Sequence, residues 1–135
     1  MGTLFYGIVK AQKINAASVP SSVKDAFKKV YPNIREVEWD RGSKGYIVSF
    51  KETDGEETIF YTSTGRCLGL EKDIAIASLP KFITEYFTKN LPGKEIAAAQ
   101  ELEDAKGEIS YLAEIDDHDY TFDSKGKLLK KEVVD

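Results

Sequence analysis

The sequence predicts an α+β protein: two tandem helix-plus-four-strand repeats whose strands form one mostly antiparallel eight-stranded sheet, with both helices on one face. Three observations carry this. SVPSSVKDAFKKVYPN from Ser18 aligns without a gap with SLPKFITEYFTKNLPG from Ser78. Each is followed by four short segments of period-two character, separated by turn-forming residues. Gly65 and Gly126 take the same place in two similar hairpins, YTSTGRCL and FDSKGKLL.

Each repeat opens with a helix. Ser18 and Ser78 are suited to cap it, because a serine oxygen accepts from an unpaired first-turn N–H, while Pro20 and Pro80 fall where that N–H is not needed. Val23, Ala26, Phe27 and Val30 follow at helical spacing and Ile83, Tyr86 and Phe87 match the first three, so each helix carries one buried stripe. Asn90 interrupts the second stripe at its fourth position. Pro32 and Pro92 push the preceding residue toward extended geometry and cannot continue the hydrogen-bond ladder, so the helices stop at Tyr31 and Leu91.

The strands are REVEW, GYIVSF, ETIFYTS and RCLGL in the first repeat, then EIAAAQEL, EISYLAEI, DYTFDS and KLLKKEV in the second. Alternation assigns their faces. Tyr46, Val48, Phe50, Ile59 and Tyr61, with Tyr111, Ala113, Ile115, Tyr120 and Phe122, turn toward the helices. Trp39 shares a face with Val37 and reads as core or sheet rim; Ala99 stands in its place in the second repeat. The other face carries Ile47, Ser49, Phe60, Leu112, Glu114 and Thr121, with nothing left in the sequence to cover it.

Composition bounds the function. The 135 residues are 41% hydrophobic and 31% charged, which suits one compact soluble domain. The net charge is −4, with the surplus acid after position 75 and no Lys/Arg cluster larger than a pair, which excludes a nucleic-acid face. No apolar run reaches the roughly 20 residues that cross a bilayer. Residues 1–17 read as a signal-peptide remnant, with Val9 and Ala11 before a cut at Gln12, or as an N-terminal strand or tail. The domain then spans 18–135, with repeats at 18–75 and 78–133.

Chemistry-bearing residues are sparse. Cys67 lacks a Cys or His neighbour in sequence and reads as a small buried or half-buried hydrophobe. His118 is the sole histidine, and no serine elbow or glycine-rich phosphate loop occurs. Asp116, Asp117, His118 and Asp119 crowd oxygen and nitrogen ligands that suit calcium, although the spacing fits no defined calcium loop. No catalytic residue, metal site or cofactor is expected.

A helix entered through VP or LP and closed by a bulky residue and proline, then Val37 and Trp39, a YIVSF strand and an FYTSTG hairpin, resembles the PepSY-like, β-lactamase-inhibitor-like domains of secreted Bacteroidetes proteins. The likeness covers roughly positions 18 to 132, and Ala99 and Asn90 depart from its pattern. It implies a periplasmic or secreted binding module without catalytic residues, whose repeats form one continuous sheet and whose open face meets an unidentified protein or peptide of the cell envelope. Ile47, Ser49, Phe60, Leu112, Glu114 and Thr121 would supply that face. A small-ligand or lipid carrier, with a groove between sheet and helices, is the alternative; calcium binding at the acidic turn is a further one.

Overall fold

A computed structural model describes residues 12–134. The expected export-signal remnant falls on residues 1–11 and lies outside the described residues. Nine strands and two helices follow: β1 Gln12–Ile14, α1 Ser21–Val30, β2 Glu38–Gly42, β3 Gly45–Glu52, β4 Gly55–Tyr61, β5 Cys67–Ile74, α2 Lys81–Asn90, β6 Ala98–Asp104, β7 Ile109–Ile115, β8 His118–Asp123 and β9 Leu128–Val133. The strands form one antiparallel sheet in sequence order, β1 to β9.

The ninth strand corrects the expected eight and explains the repeat. Ile14 at the end of β1 pairs with Trp39, and Ile74 at the end of β5 pairs with Ala99. In each repeat, therefore, the strand before the helix pairs with the strand after it. β5 closes the first repeat and opens the second. Both repeats also carry an irregularity at the same place in their last hairpin, between Phe60 and Tyr61 and between Thr121 and Phe122.

The serines do not cap the helices. Ser18 and Ser78 instead end short 3₁₀ turns, Ala16–Ser18 and Ile76–Ser78, and the cap positions of α1 and α2 are the extended residues Pro20 and Pro80. The Pro20 carbonyl accepts from the N–H groups of Val23 and Lys24, so the proline ends the extended entry and its carbonyl starts the ladder. At the other end the N–H groups of Tyr31 and Leu91 bond to the Phe27 and Phe87 carbonyls, closing each helix where proline follows.

Two core clusters lie on one face of the sheet. Val23 and Phe27 of α1 pack with Val19, Trp39, Val48, Phe50, Ile59 and Tyr61. Ile83 and Phe87 of α2 pack with Leu79, Ala99, Ala113, Ile115, Tyr120 and Phe122. The Phe27 ring meets Trp39 edge-on at 5.9 Å and Phe50 at 5.4 Å, and the Phe87 ring meets Tyr120 at 5.0 Å. Such pairs add roughly 0.5–1.5 kcal/mol each beyond their burial. The expected stripe is corrected at its last position, because Val30 is 64% exposed. The stripe instead ends on Tyr31 and Leu91, so Asn90, also exposed, interrupts nothing.

The last hairpin of each repeat abuts its own helix. A Cβ at Gly65 would stand 2.5 Å from the Ser22 carbonyl oxygen, and one at Gly126 would stand 3.2 Å from the Phe82 ring. Ser22 and Phe82 hold the same position in their helices. The glycines therefore serve both the turn, with φ of 90° and 99°, and the close approach.

Candidate binding face

Cross-strand register, more than any single segment, defines the face away from the helices. Directly paired residues share a face. One row runs Asp40, Ile47, Phe60, Gly69, Asp104. Another runs Ser49, Thr58, Glu71, Leu102, Ser110. A third runs Asp73, Gln100, Leu112, Thr121, Lys130, and beside it Ala98, Glu114, Asp119 and Glu132 pair in turn.

The six residues singled out from the sequence therefore fall into two groups. Ile47, Ser49 and Phe60 lie on β3 and β4, while Leu112, Glu114 and Thr121 lie on β7 and β8. Glu71, Gln100 and Leu102 occupy the middle, and Asp119 stands beside Glu114. Alternation along AAQELED already carried the Gln100 and Leu102 signal, but only register shows that they bridge the two groups.

This face is not the open surface expected. Ile47, Phe60, Leu112 and Thr121 are buried, and Ser49 and Glu114 are half-buried. Within its row Leu112 stands between Gln100 and Thr121.

The polar groups here are incompletely bonded. Gln100 Nε2 donates to Asp73 Oδ1 at 2.9 Å, and Asp73 Oδ2 accepts from the Glu56 N–H at 2.9 Å. Gln100 Oε1, Asp119 Oδ1 and Thr121 Oγ1 are buried without a hydrogen-bond partner. All three belong to the helix-free face. Burial, and next the Glu114 carboxylate opposite, raise the Asp119 pKa above the usual carboxylate value.

The acidic run is divided between a turn and the two faces of the sheet. Asp116 and Asp117 make a two-residue hairpin turn with φ of 48° and 60°, the left-handed pair a tight hairpin demands. Asp116 pairs with Lys94 at 2.8 Å, and its carbonyl meets His118 Nδ1 at 2.8 Å. His118 pairs with Ile115 and so shares the helix side, whereas Asp119 faces away. Alternation splits the four side chains between faces. Among the described residues no three His, Cys, Asp or Glu side chains converge on a metal position.

On the helix side an open groove of about 610 Å³ is lined by both α1 and the β4–β5 hairpin, with Ala26, Tyr31, Ile59, Tyr61, Cys67 and Leu70 along it. Cys67 is exposed at this groove, which corrects its expected burial. Its Sγ lies 3.7 Å from the Gly69 carbonyl, and partial desolvation holds the thiol pKa above its usual value, away from nucleophilic activation.

A family model described as "Putative beta-lactamase-inhibitor-like, PepSY-like" matches residues 7–69 and again 54–130. No curated protein matches the chain. Solved structures do. A BLIP-like protein from Bacteroides fragilis is 20% identical, with a TM-score of 0.72 over 85% of this chain and 86% of that one. A DUF2874 family protein from Bacteroides ovatus is 18% identical, with a TM-score of 0.75 over 86% and 88%. A "putative periplasmic" protein from Bacteroides eggerthii is 16% identical, with a TM-score of 0.75 over 85% and 88%. At these identities the likeness shows a shared fold.

Proposed function

The chain belongs to the beta-lactamase-inhibitor-like, PepSY-like family, and from that premise we propose that it is a non-enzymatic binding module of the periplasm or cell exterior. It recognises a protein or peptide through the helix-free sheet face. One observation carries this reading: three buried polar atoms on that face, from Gln100, Asp119 and Thr121, lack partners. Folded proteins rarely leave such groups unsatisfied, and an unpaired one costs roughly 1–3 kcal/mol. A partner that supplies donors recovers that cost on binding. The family description and the periplasmic description of the Bacteroides eggerthii neighbour support the location and the absence of catalysis.

The test is site-specific photocrosslinking in envelope extract. A benzophenone side chain at Ser49, at the half-buried margin of the face, is compared with one at Lys28 on the exposed side of α1. Ser49 crosslinks to a discrete partner and Lys28 does not. Equal crosslinking from both positions, or from Lys28 alone, removes the face from the proposal.

A second reading, carriage of a small apolar ligand, draws on the open groove beside Tyr61 and Leu70. Its volume lies within the roughly 300–1,000 Å³ of ligand pockets. A fluorescent fatty acid that binds the wild type and is excluded by Ala26→Trp would favour it over the sheet face.

A further inference from the structure

The burial of the helix-free face is greater than the described elements supply. Leu112 is 0% exposed there, Leu102 2%, Phe60 3% and Ile47 8%. Both helices, with the flanking residues Val19, Tyr31, Leu79 and Leu91, pack on the other face. All nine strands lie in one sheet, so among the described residues no second layer stands over this side. An antiparallel sheet without a layer on one face leaves the side chains of that face in water. The helix side offers a comparison: Leu70, lining the open groove beside α1, is only half-buried although a helix is near. Gly69, in the row of Ile47 and Phe60, has no side chain to shield it and is buried nevertheless.

We propose that the apolar segment before Gln12, Leu4 to Val9, lies across this face and covers Ile47, Phe60, Leu102 and Leu112. β1 is the outermost strand and begins at Gln12, so the preceding chain arrives at the sheet edge. There Lys13, paired with Asp40, heads the row of Ile47 and Phe60. An extended chain advances roughly 3.3 Å per residue and strands stand about 4.8 Å apart, so residues 4–11 reach over about five strand spacings. That carries Leu4 from β1 to β6, over Leu102 and against Leu112 of β7. Charge agrees at the far side: burial and then Glu114 raise the Asp119 pKa, and the N-terminal ammonium opposes them, as a chain end brought across to β8 does. Apolar side chains exclude water from Gln100 Oε1, Asp119 Oδ1 and Thr121 Oγ1 but offer them no donor, which matches their state, buried and without a partner. The occupant is an extended apolar peptide, supplied by the chain itself. For its consequence the inference rests on the face reading above: the segment holds the face until the cut expected before Gln12 removes it or a partner that brings donors displaces it.

The test uses the purified full chain with no partner present. A benzophenone side chain at Ser49 is expected to crosslink into residues 1–11 of the same molecule, with a yield independent of protein concentration, and one at Lys28 is not. Hydroxyl-radical labelling reads the same cover: Leu112 is expected to label far less than Leu129, which is 53% exposed. Phe5→Asp combined with Ile8→Asp should raise Leu112 labelling several-fold, toward that of Leu129, while Phe122 in the helix-side core stays protected. Absence of any Ser49 crosslink into residues 1–11 overturns the proposal, as does a yield that rises with concentration and so marks a second copy. Labelling of Leu112 at the Leu129 rate in the wild type, or protection unchanged in the folded double variant, overturns it too. Where the double variant exposes Phe122 as well, it has unfolded, and the crosslink in the otherwise unchanged chain decides. Failure here leaves the partner reading intact, with the face open from the start; that reading falls instead on the comparison of Ser49 with Lys28 in envelope extract.

Discussion

The Tyr31 hydroxyl donates a hydrogen bond to Glu57 Oε2, joining the end of α1 to a buried carboxyl of β4. The second repeat has no equivalent, because Leu91 stands where Tyr31 stands. Burial raises the Glu57 pKa above its ordinary 4.5, with Glu52 and Glu101 adding to the rise while Tyr31 and Lys72 oppose it. Burial likewise keeps the Tyr31 phenol protonated, so it remains a donor at any physiological pH.

This pair predicts a pH dependence. A carboxyl whose folded pKa is raised stabilises the fold fully below its unfolded value and loses that stability as pH rises through the folded value. Glu57→Gln should therefore unfold at nearly the same urea concentration as wild type below pH 4.5 and gain on it steadily as pH rises above that value. Tyr31→Phe at pH 7 should cost roughly 1–3 kcal/mol, because it strands a buried carboxylate without its donor. A Glu57→Gln difference that shrinks as pH rises contradicts the assignment.

Gly65→Ala and Gly107→Ala form a matched pair. Both glycines have positive φ, 90° and 85°, but only Gly65 faces a clash, with the Ser22 carbonyl; nothing lies within 4 Å of a Cβ at Gly107. Gly107→Ala should cost about 1 kcal/mol from backbone strain alone. Gly65→Ala should cost at least about 1 kcal/mol more in thermal unfolding. Equal losses would mean that the hairpin yields without help from the helix.

The β7–β8 turn can be improved. Asp117 holds φ of 60° without being glycine. Asp117→Gly should raise stability by roughly 0.5–1 kcal/mol, visible as a higher melting temperature, since Asp-Gly is the preferred composition for this turn. Because Asp117 ligates no metal cluster among the described residues, added calcium should leave that gain unchanged.

Core truncation separates the corrected stripe from the expected one. Phe27→Ala and Phe87→Ala should each cost roughly 3–5 kcal/mol in urea denaturation, as both rings are buried at the centre of their clusters. Val30→Ser should stay within about 0.5 kcal/mol, because that side chain is largely in water. A large loss at Val30 would restore it to the core.

Local patterns carry over into structure where one neighbour decides the outcome. Pro32 and Pro92 end helices wherever they occur, and alternation places Val48, Ile59, Ala113 and Tyr120 on one side whatever pairs with them. Ser18 misled for the same reason: its composition suits a cap, but Pro20 two residues later is locked in extended geometry and moves the helix start to Ser21. Val30 fits the helical period, yet α1 meets the sheet only through the side that ends on Tyr31.

The sequence by itself determined the duplication, the two helices, the proline stops and the identity of the helix-side core, because each depends on periodicity within one segment. Tertiary structure alone decided that β5 serves both repeats, that Gln100 and Leu102 join the two halves of the helix-free face, and that Asp119 parts from His118 to stand beside Glu114. Those relations are set by register between strands, and register depends on where every turn falls, a sum over the whole chain that no single segment contains.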